Sequence, residues 1–317
     1  TRNTAVGYSS MEANTTGTQN VAVGYSSMEA NTTGQDNVAM GDYALYSNTT
    51  TSNNTAIGQG ALYANTASNN TAVGKGALTA NTTGNNNTAV GHQSGVLVTT
   101  GIQNTFIGGQ AGNENTTGDY NTCVGYEAGA YVDPITTGVG NTQLGAYTRV
   151  SSGSESFANT IGYNVKGYGN YTTLGKGGDD IRTAHGSTSW STVSDERYKK
   201  DIVDSEAGLS FINALQPRTF KYKNLGELPE TFSAYEADST EVFKNSNTNH
   251  GFIAQEVKAA IDADSSIKDG FKLWDDREDG SQEVAEAALI PILTKAIQEQ
   301  TEIINDLRAR VAQLETN

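Results

Sequence analysis

Asn70-Thr71-Ala72-Val73-Gly74 is one copy of a motif that recurs through the first half of the chain. Successive regular copies are 17 residues apart, with one interval of 16 residues. A short and fixed period predicts stacked coils, in which each coil contacts mainly its two neighbours. Each copy supplies one short strand, and the Asn, Thr and Gly residues between strands favour turns. The final glycine falls at Gly7, Gly24, Gly41, Gly58, Gly74, Gly91, Gly108 and Gly125, and weaker copies end at Gly145, Gly162 and Gly175.

The apolar residues of the repeat predict the core. The residue before each glycine is expected to form one buried ladder, made of Val6, Val23, Met40, Ile57, Val73, Val90, Ile107 and Val124. A second, weaker ladder runs through Met11, Met28, Leu45, Leu62 and Leu78. The alanine before each residue of the first ladder suits a tight interior, and Cys123 replaces it in one copy. We interpret Cys123 as a small buried residue and not as a reactive thiol.

The asparagine that starts each strand is expected to form side-chain ladders or turn hydrogen bonds. This geometry explains the many Asn-x-Thr sequences better than glycosylation does. If one chain coils on itself, the eight regular copies rise by about 4.8 Å each, giving roughly 35–40 Å in total. Three interleaved chains would rise differently, and the sequence leaves both arrangements open. The repeats resemble the heads of trimeric bacterial adhesins, which are left-handed parallel β-rolls, and similar repeats in phage tail fibres, although the period here is longer than in the adhesin heads.

The period breaks from about residue 126, and seven of the 15 tyrosines lie between Tyr120 and Tyr171. Exposed aromatic rings beside Asn, Asp and Gly offer sugar rings a flat apolar face and hydrogen-bonding groups. The alternative is that the tyrosines fill a wider end of the solenoid or an interface of a trimer. The candidate glycan-binding residues are Tyr147, Tyr163, Tyr168, Tyr171 and Trp190.

Composition excludes several classes of function. The formal net charge is −15 and the pI is about 4.6, which argue against nucleic acid and against an anionic membrane surface. No apolar run has the length of a spanning helix, and one cysteine excludes an intrachain disulfide framework. The chain starts at Thr1 without a signal-peptide pattern, so we expect it to be a fragment of a longer protein.

The sequence changes character at residues 194–201, Ser-Asp-Glu-Arg-Tyr-Lys-Lys-Asp. Glycine and asparagine repeats precede this octapeptide, and ordinary charged sequence follows it. The pattern predicts a helix at 205–215, strands at 218–223 and 271–274, and a strand that runs into a helix at 250–261. A long helix is expected from about residue 285 to the end, after a polar loop at 224–249.

The last helix carries apolar residues at alternating steps of four and three, which is typical of a parallel coiled coil at about residues 285–315. The pattern of Ile and Val alternating with Leu by itself favours a dimer, and Gln300 is suited to setting the register. The seam therefore predicts an oligomer and leaves the number of chains open. Its residues are Leu293, Ile297, Gln300, Ile304, Leu307, Val311 and Leu314.

Three features together resemble the S74 self-cleaving peptidases, the intramolecular chaperone domains of phage tail fibres and tailspikes. They are Ser194-Asp-Glu-Arg-Tyr-Lys199, Gly251-Phe-Ile-Ala-Gln-Glu256 and the terminal coil, in the order of the family. The resemblance implies that residues 194–317 drive folding and trimerisation of the fibre and then cut the chain at Val193–Ser194. It further implies that Ser194 is the nucleophile and Lys199 the base.

This chemistry needs a neutral lysine, because only an unprotonated amine can take the proton of a serine hydroxyl. Burial or a nearby cation lowers the pKa of a lysine, and Arg197 and Lys200 are close in sequence. A spacing of five residues puts the two side chains about 140° apart on a regular helix. A turn or a neighbouring chain must therefore bring them together, and we favour the neighbouring chain. Without the family resemblance, Ser194 would be interpreted as the cap of a helix.

Other chemistry is not expected. His92 and His185 lack partners at metal-ligand spacing, and Gly175-Lys-Gly-Gly178 lacks the context of a phosphate loop. We therefore predict no metal and no cofactor. Glu155 and Asp179-Asp180 are weak candidates for the carboxylate pair of a glycan hydrolase. His250 and Glu256 are expected to be structural, as a packed histidine and as a capping or salt-bridging carboxylate.

The predicted fold class is a mainly β N-terminal half, a parallel β-roll or solenoid, followed by an α+β chaperone domain that ends in a long coiled-coil helix. The predicted domains are the solenoid at 1–146, an irregular distal tip at 147–193 and the self-cleaving domain at 194–317. The function predicted is the distal part of a bacteriophage tail fibre, located in the virion and in the host cytoplasm during assembly. Its partners are two further copies in a homotrimer and bacterial surface polysaccharide or lipopolysaccharide, with no nucleic acid and no membrane insertion. The alternatives are a trimeric bacterial surface adhesin and a tailspike with glycan-hydrolase activity.

Overall fold

The computed structural model describes residues 2–192, 194–265, 267, 273–276 and 280–315. The chain divides into two compact units, Thr1–Tyr198 and Lys199–Asn317. The first unit is a parallel β-solenoid, and the second combines short strands with helices, as the sequence predicted.

Short strands and turns alternate along the first unit. Its described strands are β1 Thr4–Val6, β2 Val21–Val23, β3 Val38–Met40, β4 Thr55–Ile57, β5 Thr71–Val73, β6 Thr88–Val90, β7 Thr105–Ile107, β8 Thr122–Val124, β9 Thr142–Leu144, β10 Arg149–Val150, β11 Asn159–Tyr163, β12 Lys166–Gly167, β13 Tyr171–Lys176 and β14 Asp179–Ala184. Within the described residues, all of these except β10 and β12 form one 12-stranded sheet. Each strand pairs in parallel with the strand of the next coil, apart from the antiparallel pair β13–β14. The coils therefore stack within a single chain, which decides between the two arrangements that the sequence left open.

The glycine that ends each strand is required by the stacking. Gly74 has a φ of +136°, in a region that L side chains rarely adopt, and a Cβ there would overlap the Gly91 carbonyl of the next coil. The Gly91 N–H donates to the Val73 carbonyl at 2.8 Å, so the backbones of adjacent coils are in direct contact. The repeated glycine thus marks the closest approach between coils.

The structure corrects the predicted core. The aliphatic residue before each glycine faces outward, and the alanine before it faces the interior: Ala72 and Ala89 are fully buried, whereas Val90 is 37% exposed. Successive side chains of a strand point to opposite sides, so the buried alanine places both of its strand neighbours outside. The second predicted ladder is confirmed, because Met11, Met28, Leu45, Leu62 and Leu78 are all buried. Cys123 is buried in the alanine column, and burial raises the pKa of its thiol.

Two columns of asparagines, buried except for the partly buried Asn3 and Asn14, hold the coils in register. The first asparagine ladder precedes the strands and comprises Asn3, Asn20, Asn37, Asn54, Asn70, Asn87, Asn104, Asn121 and Asn141. In it, the Asn87 Oδ1 accepts the Asn104 backbone N–H at 2.9 Å, and its Nδ2 donates to the Gly101 carbonyl at 2.7 Å. The second asparagine ladder, Asn14, Asn31, Asn48, Asn65 and Asn81, lies in the turns, where Asn31 Nδ2 donates to Asn14 Oδ1 at 2.8 Å. The side-chain ladders predicted from the sequence are therefore present.

The second unit is built around one apolar cluster. Its described elements are the helices α1 Leu209–Ala214, α2 Ala254–Ala263 and α3 Leu289–Glu315, the strand pairs β15 Arg218–Phe220 with β16 Asn249–Gly251 and β17 Trp274–Asp276 with β18 Gln282–Val284, and 3₁₀ turns at Leu225–Glu227 and Glu286–Ala288. The core comprises Ala207, Phe211, Leu215, Val257, Ala260, Ile261, Ile267, Leu273, Leu289 and Ile292. Residues 271 and 272 of the strand predicted at 271–274 lie outside the described part, and Trp274 belongs to the strand β17. Within the described residues, none of the helices combines the length and apolar character needed to cross a membrane.

Candidate processing site and glycan-binding surface

The segment that holds the predicted nucleophile is exposed. Ser194 precedes a 3₁₀ turn at Glu196–Tyr198, and its side chain lies at the surface of the first unit. Lys199 is also exposed and begins the second unit. Val193, on the other side of the predicted scissile bond, lies outside the described residues. The catalytic roles of Ser194 and Lys199 therefore stay a prediction that rests on the family motif.

An ion pair occupies the turn beside Ser194. The Asp195 carboxylate accepts the Arg197 backbone N–H at 2.9 Å, the side-chain Nε at 3.0 Å and Nη2 at 2.6 Å. The hydrogen bonds from Arg197 lower the pKa of Asp195, so this carboxylate is held in its charged form. Because Asp195 compensates the charge of Arg197, this arginine is a poor choice for the cation that keeps Lys199 neutral. Lys200 is the remaining cation of the motif.

The second family motif joins a strand to a helix. Asn249–Gly251 pairs antiparallel with Arg218–Phe220, and α2 begins three residues later. Glu256, in the first turn of α2, accepts bonds from Arg218 Nε at 2.9 Å and Nη2 at 2.8 Å. These bonds lower the pKa of Glu256, and the predicted salt-bridging role of this residue is confirmed. The predicted packing of His250 is wrong, because its side chain is exposed on the paired strand.

Helix α3 is buried at its start, and its seam further along is exposed in the part of the chain that the structure describes. Leu289, Ile292 and Ala296 are buried in the core of the second unit. The Glu299 carboxylate accepts the Leu209 N–H at 2.8 Å and so caps the first turn of α1. Beyond this point the predicted seam faces solvent, since Ile304, Leu307, Val311 and Leu314 are 43% to 76% exposed.

The predicted glycan-binding residues fall into two groups and one separate residue. Tyr147 lies at the centre of the first group, with ring centroids 5.6 Å from Tyr126, 5.0 Å from Tyr131 and 5.7 Å from Tyr163. The rings meet edge to face, and three of them, Tyr131, Tyr147 and Tyr163, line a cavity of about 420 Å³ together with Glu127 and Asn164. The cavity thus combines aromatic faces with a carboxylate and an amide.

The second group surrounds an arginine. The Arg182 guanidinium lies over the rings of Tyr168 and Tyr171, at 4.7 Å and 5.6 Å from their centroids. Tyr168 also lines an open cleft of about 900 Å³. The charged residues that line this cleft are Arg149, Lys166, Asp179 and Asp180. Trp190 is 49% exposed, and its ring belongs to neither tyrosine group.

The carboxylates considered for hydrolysis have other arrangements. Asp179 and Asp180 are neighbours on β14, so their side chains point to opposite sides of the strand and do not flank one sugar. Glu155 accepts a bond from the Gly169 N–H at 2.8 Å and another from the Ser151 hydroxyl, which explains it as a turn-stabilising residue. Among the described residues, no group of three or more His, Cys, Asp or Glu side chains is placed to hold a metal ion.

Sequence reasoning missed four residues of these sites: Tyr131 and Glu127 line the smaller cavity, Tyr126 packs against Tyr147, and Arg182 lies over Tyr168 and Tyr171. The repeat itself contained a signal for Tyr126, because Tyr126, Tyr147 and Tyr163 each follow a strand-ending glycine by one or two residues. Tyr126 and Tyr163 take equivalent positions in their coils and Tyr147 takes the next position in the coil between them, so the ring of Tyr147 lies within reach of both. No such signal exists for Arg182, whose position depends on the register of the β13–β14 pair.

Comparison with known proteins agrees with the architecture. Residues 194–265 match the Peptidase S74 family model, described as chaperone of endosialidase. Neither a curated protein nor a solved structure matches the chain. The chain therefore carries an S74-type chaperone domain, of the autoproteolytic peptidase kind, behind a parallel β-solenoid. An S74 chaperone domain after a β-solenoid suggests a tail fibre or tailspike-type protein.

Proposed function

We propose that the chain is the distal part of a bacteriophage tail fibre, a homotrimer that binds a glycan of the bacterial surface. The C-terminal domain folds the fibre and then releases itself by cutting the Val193–Ser194 bond. The observation that carries the proposal is the position of the S74 domain match, which begins at Ser194, directly after the solenoid unit's last strands. The exposed seam of α3 supports the oligomer, because a helix with such a seam is stabilised by a second helix of the same kind.

The chaperone role follows from the physics of the solenoid. Its strands β1 to β9 have three residues each, and their hydrogen bonds are made to neighbouring coils and not within a coil, so a single coil is not stable alone. A register error between copies would misalign every later coil. A coiled coil formed first would bring three chains together at one level before the solenoids order. Once the solenoids have folded, the domain is dispensable, and its removal makes the process irreversible.

Cleavage in this scheme is an acyl transfer followed by hydrolysis. The Ser194 Oγ attacks the Val193 carbonyl carbon while the neutral Lys199 amine takes the hydroxyl proton. The C–N bond breaks as the Ser194 nitrogen is protonated, leaving an ester between the Val193 acyl group and Oγ. Water then opens the ester and leaves a carboxylate on Val193 and a free hydroxyl on Ser194. Each chain cuts once, and an approach of Lys199 from a neighbouring chain would make cutting depend on assembly.

A denaturing gel of freshly expressed protein tests this directly. The wild type should give fragments 1–193 and 194–317, with Ser194 as the new N-terminus by mass spectrometry. Ser194→Ala and Lys199→Met should stay whole, whereas the matched control Lys221→Met, at an exposed lysine outside the motif, should still be cut. An uncut wild type in a sample that light scattering shows to be trimeric would contradict the proposed processing.

Glycan binding is supported by the tyrosine cavity around Tyr147 and is tested separately. Tyr163 is 51% exposed at the edge of the cavity, so Tyr163→Ala should remove a sugar-stacking face with little effect on the fold. We expect an affinity loss of about tenfold for surface polysaccharide extracted from a strain to which the protein adsorbs. Tyr25→Ala, with a similarly exposed ring in the coils near the N-terminus, is the control. Equal losses in both variants would argue against a site at Tyr147.

A further inference from the structure

The outer face of the solenoid sheet carries an uninterrupted aliphatic column. Every strand of the 12-stranded sheet contributes one member, and the members are paired in register from strand to strand. We call this column the outer ladder. It comprises Val6, Val23, Met40, Ile57, Val73, Val90, Ile107, Val124, Leu144, Ile161, Leu174 and Ile181.

Most of the outer ladder is left exposed by the described residues of the chain. Eight of its members are more than one third exposed, from Val90 at 37% to Val6 at 57%. Twelve strands spaced by about 4.8 Å make a stripe roughly 50 Å long. Soluble monomers rarely expose an apolar surface of this extent, and such surfaces mark sites of interaction.

Charge restricts what can cover the stripe. The chain has a formal net charge of −15, so two copies repel each other over most approaches. The outer ladder has no charged member. The column beside it is equally neutral; its members lie two residues before the ladder residue in each parallel strand and two residues after it in the antiparallel β14. They are Thr4, Val21, Val38, Thr55, Thr71, Thr88, Thr105, Thr122, Thr142, Asn159, Thr172 and Thr183. This face therefore lets identical acidic chains approach without bringing like charges together.

The spacing of the ladder identifies the partner. A surface that repeats once per coil is matched at every level only by a surface with the same repeat, and another copy of this chain has it. The repeat of the ladder survives an insertion: Val124 and Leu144 are 20 residues apart, yet they pair directly, and the additional residues lie in the turn around Ile135. The exposed seam of α3 independently requires a second copy.

We propose that the outer ladder is the surface through which solenoids of separate copies associate. This inference rests on the homotrimer of the proposed function and assigns the interface within it. It also separates assembly from recognition, because the ladder offers sugars no hydrogen-bonding groups, whereas the tyrosine cavity does. The aliphatic residues of the outer ladder, which face outward from a single chain, would then be buried between the chains of the assembly.

Thiol labelling of the full-length chain tests the assignment. The single native cysteine, Cys123, is buried, so an introduced thiol is the reactive one. Val90→Cys and Ile107→Cys place thiols on the ladder, and Thr83→Cys places one at an exposed turn of the same region. We expect the ladder thiols to react with a charged maleimide about tenfold or more slowly than the thiol at position 83. Light scattering of the same samples gives the mass of the assembly, and circular dichroism checks that each variant is folded.

The possible failures are distinguishable. If the protein has the mass of a trimer but the ladder thiols react as fast as the control, the ladder is not the interface, and the proposed trimer stands. If the protein has the mass of one chain and all thiols react at the same rate, both the inference and the proposed trimer are overturned. Protection at both ladder positions in a monomer would mean that another segment covers the ladder, which also overturns the inference.

Discussion

The two compact units bury their cores in different ways. In the solenoid, each contact is repeated at an interval of 16 or 17 residues, so that Leu62 has Leu45 and Leu78 as its counterparts in the adjoining coils. In the second unit, Phe211, Val257 and Ile292 reach one cluster from distant parts of the chain. Each solenoid position thus has equivalent positions in the adjacent coils, which show which residues it can accept. Positions in the second unit have no such equivalents. Substitutions in the solenoid should therefore be tolerated when they introduce a residue that a neighbouring coil already has at the same position.

The largest expected effect is at Phe106, where one coil departs from the others. Phe106 stands in the alanine column and is fully buried. Its ring fills the space left by Gly95 and Gly112, which occupy the positions of Leu78 and Leu62 in other coils, and a Cβ at Gly112 would overlap the ring. We expect Phe106→Ala to lower the free energy of unfolding by about 3–5 kcal/mol, measured by urea titration.

The neighbouring coils also predict the rescue. Leu45, Leu62 and Leu78 adopt φ values of 50° to 52°, so leucine tolerates the backbone that Gly112 has at 57°. Gly112→Leu alone should destabilise the protein by steric overlap with Phe106. Phe106→Ala combined with Gly112→Leu should be more stable than either single variant. A double variant no better than the worse single one would show that coils are not interchangeable.

The strands and their glycines were predictable because turn chemistry and the 17-residue period are local properties. Which side of each strand faces the interior was not predictable. In Thr-Ala-Val, hydrophobicity alone favours burial of the valine, whereas the alanine is the buried residue. Burial selects Ala72 because coils that stack at backbone contact leave room for a small side chain at that position. Phe106 shows the same constraint, as it is tolerated only beside Gly95 and Gly112.

A second large effect is expected in the first asparagine ladder. Asn87→Leu keeps a similar volume but removes the acceptor of the Asn104 N–H and the donor to the Gly101 carbonyl. Leaving buried groups without partners should cost about 2–4 kcal/mol, again by urea titration. Asn85→Leu, at an exposed turn position of the same coil, should change stability by less than about 0.5 kcal/mol. Similar losses in both variants would mean that the ladder does not hold the coils.

A smaller effect of opposite sign is expected at Val98, which interrupts the second asparagine ladder. Among the described residues, Asn81 Oδ1 and both side-chain polar atoms of Asn115 have no hydrogen-bond partner. These residues occupy the positions on either side of Val98. Val98→Asn would supply a donor to Asn81 and an acceptor for Asn115, and we expect a gain of about 1 kcal/mol. Val98→Ala is the control, and a loss of stability in both variants would show that packing at Val98 outweighs the restored ladder.

The candidate sites were predictable to different degrees. The Ser194 and Gly251 motifs are short linear patterns, so sequence comparison alone finds them. The relation of Ser194 to Lys199 was not predictable, since the two belong to different compact units and their spacing fits no single helix. The tyrosine cavity lies between these cases, because the repeat aligns Tyr126, Tyr147 and Tyr163 but gives no information on Arg182.

The smallest expected effect belongs to the second unit and concerns acid. Arg218 lowers the pKa of Glu256 below its ordinary value, so the ion pair stabilises the folded unit above the pKa of the unfolded state, near pH 4.5. This stabilisation is lost as the pH falls through the still lower pKa of the folded state. The side chains are 48% and 37% exposed, so water and salt screen the pair and the effect should be small. The second unit is not repetitive, so the Arg218–Glu256 ion pair has no equivalent in a neighbouring repeat.

Urea titrations at pH 7 and about pH 2 separate this contribution from general acid effects. We expect Glu256→Gln to lower the unfolding midpoint of the second unit slightly at pH 7, and to match the wild type at the acid pH, where Glu256 is protonated. Glu230→Gln, at an exposed carboxylate of the same unit, should leave the midpoint unchanged at both pH values. A difference between Glu256→Gln and the wild type that persists at the acid pH would assign the role of Glu256 to packing instead of charge. Packing would then hold β15 and α2 together at this motif, as it holds the coils of the solenoid together. The two units would differ less in what stabilises them.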